Sequence, residues 1–153
     1  MSDFTTKIKI LTDIVTEKSK SLTTLLNITQ NQRTLLTVDE QDIQPQALEI
    51  FTQMTLEKKA LIEKIVEKDQ VFNTIFGELQ DFEENAKLHT DAVRDLQQHV
   101  KQVTDLDMQV RLAEEENMAI MRRGAGHTSE SPAPSQPMKK AVLDKYKSNA
   151  KPM

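Results

Sequence analysis

The chain has 153 residues, of which 37% are hydrophobic and 29% charged, with a formal net charge of −4, three glycines, five prolines and no cysteine. Disulfides and thiolate metal sites are excluded, and the acidic balance disfavours general nucleic-acid binding. Aromatic residues make up 4%, while Leu, Glu, Gln, Lys, Thr and Ile dominate; a sandwich or barrel is disfavoured, and long helices are expected.

The N-terminal stretch MSDFTTKIKILTDIV has no basic region followed by a pure apolar run, so no signal peptide is expected. No stretch nears the roughly eighteen unbroken apolar residues of a membrane span, so no integral membrane segment is expected. The absence of cysteine suits a reducing cytosol.

The first element runs from about Phe4 to Leu36. Phe4, Ile8, Leu11, Val15, Leu22, Leu25, Thr29 and Leu36 form a heptad-like stripe on one helix face, interrupted by Lys18 and Gln32. TVDEQDIQP breaks the pattern, and Pro45 suits a first helical position, where its missing N–H is no loss.

The second element runs from Pro45 into the eighties. Phe51, Met54, Leu61, Ile65, Phe72, Ile75, Leu79 and Phe82 carry its stripe, with Ile62 and Phe76 widening it. Gly77 is expected to bend this helix, not end it, because glycine weakens a helix by only about 1 kcal/mol against alanine. A turn is expected between Asn85 and Thr90, where the stripe changes phase. Asp69 lies within the stripe; it either pairs with Lys18 and fixes register, or rotates to the edge.

The third element runs from about Thr90 to Arg123 on Ala92, Leu96, Val100, Val103, Leu106, Val110, Ala113, Asn117 and Ile120. Arg122 and Arg123 suit a helix C-terminus and Gly124 its stop. Each element has one apolar face, so the expected fold is all-α: an elongated antiparallel three-helix coiled-coil-like bundle over residues 1–123, a rod of roughly 50 to 60 Å. A disordered linker, GAGHTSESPAPSQP, is expected over 124–137. A short amphipathic helix, MKKAVLDKYKSNAKPM, is expected over 138–153.

No catalytic constellation stands out, and neither enzyme activity nor a cofactor or metal is expected. His89 and His99 are ten residues apart, not at the one-turn spacing of a helical metal pair, and with His127 they read as surface polar residues. No phosphate-binding glycine loop occurs. Glu114, Glu115 and Glu116 read as a solvated face. Asn117 sits inward near the bundle end and could set register. Met118 and Met121 beside it belong either to the core or to an adaptable contact surface.

The tail is more informative. Residues 1–123 carry −7, and the last sixteen carry +4. Met138, Val142 and Tyr146 recur every four residues, with Leu143 beside them. A helix this short is marginal alone, so it should order only on docking, either on a partner or on its own bundle; the remaining reading is an inert tail. The candidate partner-binding residues are therefore Met118, Met121, Met138, Val142, Leu143 and Tyr146.

The stretches LTDIVTEKSKSLTTLLNITQNQRTLL, QALEIFTQMTLEKKALIEKIVEKDQVFNTIF and LDMQVRLAEEENMAIMRR resemble the FlgN/FliT-type flagellar export chaperones of bacteria. The middle stretch carries most of the likeness, through Lys59, Leu61, Ile62, Ile65, Asp69 and Phe72. DKYKSNA is similar to the basic tails of such proteins. The resemblance implies a cytoplasmic chaperone of type III export that consumes no ATP. It would bind the helical ends of hook-associated junction or cap proteins, prevent their premature assembly and deliver them to the export apparatus. The rival reading is a structural coiled-coil adaptor or tether. The resemblance does not separate junction proteins from cap proteins as cargo.

Overall fold

The structure, a computed structural model, describes residues 3–37 and 45–126. Among them every regular element is an α-helix: α1 (Asp3–Thr37), α2 (Pro45–Gly77), α3 (Phe82–Leu88) and α4 (Thr90–Gly126). The long helices match the near-absence of glycine and proline in these stretches. Threonine is a modest helix former, yet α1 holds many. Several Thr hydroxyls donate to the carbonyl one turn earlier, as Thr12 does to Ile8 O at 2.9 Å and Thr16 to Thr12 O at 2.9 Å.

The junction after α2 differs from expectation. Gly77 is the last residue of α2, not a bend within it. Glu78 N–H donates to Ile75 O and Leu79 N–H to Phe76 O, each at 3.1 Å. These three-residue closures tighten the final turn. Asp81 then takes the left-handed conformation, with φ 50° and ψ 47°, which redirects the chain into α3. The expected turn near Asn85–Thr90 is present only as a break at His89 (φ −125°, ψ 50°). The backbone ladder crosses that break, since His89 N–H donates to Asn85 O at 2.9 Å and Val93 N–H to His89 O at 3.2 Å. Gly124 does not stop α4, which continues to Gly126. The remainder of the expected linker and the whole expected tail helix lie outside the described residues.

The chain divides into two compact units. The first comprises residues 1–24 and 61–108. Its core is apolar: Phe4, Ile8, Leu11, Val15 and Leu22 from α1, Ile65 from α2, and Val93, Leu96 and Val103 from α4. Here α1 runs against α2. Phe4 shares a recess with Leu79 near the end of α2, while Lys18 reaches back to Asp69. It runs alongside α4, with Phe4 near His89 and Val15 near Val103. The buried phase of α4 starts at Val93, not Ala92, and Val100 is 39% exposed.

Among the described residues, the second unit comprises 25–37, 45–60 and 109–126. Its described core holds Leu25, Phe51, Val110, Ala113 and Met121, together with a cluster of buried polar side chains. That cluster is its distinguishing feature.

Candidate functional site

Thr29 and Gln32 follow Leu25 on the inner stripe of α1. Thr55 and Lys58 follow Phe51 on α2, and Asn117 follows Ala113 on α4. All five are buried. They sit where helical spacing demands core residues, so their polar atoms must bond to one another.

Gln32 is the hub. Its Nε2 donates to Thr55 Oγ1 at 2.9 Å and to Phe51 O at 3.3 Å. Thr55 donates in turn to Phe51 O at 3.1 Å. Gln32 Oε1 accepts from the Lys58 ammonium at 2.7 Å. That ammonium, on a residue only 5% exposed, also forms an ion pair with Glu114. Thr29 Oγ1 lies 2.8 Å from Leu25 O and 3.1 Å from Glu114 Oε1, and its single proton donates to one of them. Asn117 Nδ2 donates to Thr29 O at 2.9 Å, while its buried Oδ1 has no hydrogen-bond partner among the described residues. At the rim Arg33 pairs with Glu116. Burial pushes the Lys58 pKa below 10.5, and the Glu114 carboxylate opposes that shift through its charge and hydrogen bond.

In the first unit Lys18 Nζ meets Asp69 Oδ1 at 2.7 Å. Of the two expected positions for Asp69, the pairing is realised, and at the edge of the stripe, since its side chain is 46% exposed. Beneath this pair lies a mostly apolar recess of about 150 Å³ lined by Ile14, Val15, Phe72, Val100, Val103 and Thr104. Four aromatic rings form a chain: Phe72 stacks on Phe76 at 6.1 Å, Phe76 meets Phe82 at 5.8 Å and Phe82 meets Phe4 at 5.9 Å. His89 stacks on Phe4 at 5.8 Å, so it is not a simple surface residue.

On α2 in this unit, Ile62, Val66, Val71 and Phe76 are each about half exposed. Ile62 and Val66 are one turn apart, and Ile62 and Phe76 two heptads apart, so these three share a side of the helix. Val71 lies on another side. Ile62 and Phe76 thus stand beside the core stripe, not in it. Ile62 and Val66 form a small exposed apolar patch, separated from Phe76 by Asp69 and Asn73, and exposed apolar patches mark interaction sites.

Of the six sequence-selected residues, Met118 and Met121 fall among the described ones. Met121 is buried in the second unit, and Met118 is half-buried there. Met138, Val142, Leu143 and Tyr146 lie outside the described residues. The triple-glutamate run is not a uniform solvated face, because Glu114 turns toward Lys58 and Glu116 toward Arg33. Lys58 was not selected from the sequence. The signal was present, since 51, 58, 65 and 72 advance by sevens and Lys58 occupies a position between Phe51 and Ile65.

Among the described residues no cluster of His, Cys, Asp or Glu could hold a metal ion. No helix there is long and apolar enough to cross a membrane. Compared with protein-family models, with curated proteins and with solved structures, the chain shows no match.

Proposed function

We propose that this chain is a cytoplasmic export chaperone of the flagellar type III pathway. It binds the helical ends of hook-associated junction or cap proteins, keeps them from assembling early and passes them to the export apparatus. The observation that carries the reading is the exposed apolar patch of Ile62 and Val66 on α2. An amphipathic partner helix can lay its own apolar face there, a common mode of helical recognition. The flagellar assignment itself rests on the resemblance of the α2 sequence around Lys59 to Phe72. Covering a coil-prone helical end requires no chemistry, only preference for the unassembled partner.

The proposed architecture is an antiparallel three-helix coiled-coil-like bundle reaching Gly126, a linker over 127–137 and an amphipathic tail over 138–153. In this arrangement Met138, Val142, Leu143 and Tyr146 act as a tethered docking segment, with Met118 and Met121 at the adjoining end of α4.

Calorimetric titration of the whole protein, and of a version ending at Gly126, with purified junction and cap proteins tests the reading. Binding of one cargo class by the whole protein supports it. Loss of that binding in the shortened version assigns the contact to the tail. The rival, a structural coiled-coil adaptor, is favoured by a tight dimer in light scattering that ignores every cargo.

A further inference from the structure

The two units are built from the same helices but have different cores. Among the described residues, nine of the fourteen buried apolar side chains belong to the first unit. Five of the six buried polar ones belong to the second, with Ser21 the exception. Among the described residues of the second unit, therefore, buried polar side chains equal buried apolar ones in number.

That composition has an energetic consequence. A buried ion pair recovers in attraction about what it loses in desolvation, and apolar side chains of similar size often hold as well or better. In the Lys58–Glu114 pair the ammonium is buried and the carboxylate partly so. Asn117 adds a buried acceptor with no donor among the described residues, a further loss. Local stability follows local apolar burial, and weakly packed segments open as cooperative pieces below the global unfolding free energy.

We infer that the second unit is a separately opening half of the molecule: its polar layer of Gln32, Lys58, Glu114 and Asn117 lets α1, α2 and α4 part there while the apolar first unit stays folded. Opening exposes Leu25, Phe51, Val110 and Met121, which no surface otherwise presents. The inference concerns the chain alone and stands whether or not the export reading does.

Native-state hydrogen exchange on the full chain tests it. Interior amides of each helix are compared, so that fraying of helix ends does not enter: 25–33, 51–60 and 109–119 against 8–22, 61–72 and 93–106. The first set should exchange at least about tenfold faster. A variant with an apolar layer, Gln32→Leu/Lys58→Met/Glu114→Leu, should slow the first set by at least about tenfold and leave the second nearly unchanged. Should that variant misfold, Lys58→Ala provides the opposite perturbation: faster exchange in the first set, with the second unmoved. Equal exchange in both sets of the wild type overturns the inference. So does any folded variant that shifts both sets by the same factor, because the molecule then opens only as a whole.

Discussion

Lys58 on α2 and Glu114 on α4 form an ion pair whose ammonium is almost wholly buried and whose carboxylate keeps 27% of its surface in water. Gln32 on α1 completes the arrangement by accepting from the same ammonium at 2.7 Å. Three helices thus share one buried charge. Removing the carboxylate alone takes this anionic partner from a buried ammonium that Gln32 continues to hold.

Glu114→Leu is therefore expected to destabilise the protein by about 3 kcal/mol, at the low end for a broken buried pair because the carboxylate is partly hydrated. Lys58→Met/Glu114→Leu removes both charges and should lie within about 1 kcal/mol of the wild type, or above it. Urea unfolding of the two single variants and the double gives the coupling directly. Additive effects would mean that the two groups do not sense each other.

The same burial sets a pH dependence. Lys58 titrates near 10.5 when unfolded and below that value in the fold. Between the two values the unfolded chain holds the proton and the folded chain has released it. The contribution of Lys58 to stability must then rise with pH across that window. Below the window the penalty of burying the ammonium is present in full. Subtracting the unfolding free energy of Lys58→Met from that of the wild type cancels the other lysines. The difference should grow in favour of the wild type as pH approaches 10.5. A flat or falling difference would contradict the assignment.

Gly77 gives a simpler expectation. A Cβ placed there meets nothing within 4 Å, and its backbone is not in the left-handed region. Gly77→Ala should stabilise the protein by about 0.5 kcal/mol, chiefly by restricting the unfolded chain. The residue closes α2, so the gain is smaller than in mid-helix. A lower thermal midpoint for the alanine variant would show that the turn into Asp81 needs a conformation only glycine supplies.

The long helices were legible because their apolar stripes repeat cleanly and nothing in them breaks a helix. Lys18 and Gln32 were visible as interruptions, while the Lys18–Asp69 pair was one of two positions the sequence left open for Asp69. Lys58 was not legible as a core residue, because a lone lysine at an inner position reads as one that snorkels to water. Its ammonium is held inside by Gln32 and Glu114, 82 positions apart in the chain. The junction after α2 was misread for a related reason. Gly77 by itself only weakens a helix, and the reversal depends on Asp81 taking a left-handed conformation that its sequence neighbours do not announce.

The last expectation concerns Ile62 and Val66, which are 47% and 48% exposed. Side chains that remain half in water contribute little to the core, so Ile62→Ser and Val66→Ser should each change stability by less than about 1 kcal/mol. In the export reading these positions meet the apolar face of a cargo helix, and together they should weaken cargo binding at least about tenfold, the equivalent of roughly 1.4 kcal/mol. Leu112→Ser is the control, since that residue is 53% exposed and belongs to the other unit; it should leave binding unchanged. Calorimetry with a bound hook-associated protein reads the affinity, and urea unfolding reads the stability. A stability loss of about 2 kcal/mol or more would place Ile62 and Val66 in the core. Unchanged binding in the double variant, with stability intact, would remove the α2 surface from the interaction and leave the chaperone reading without its physical support.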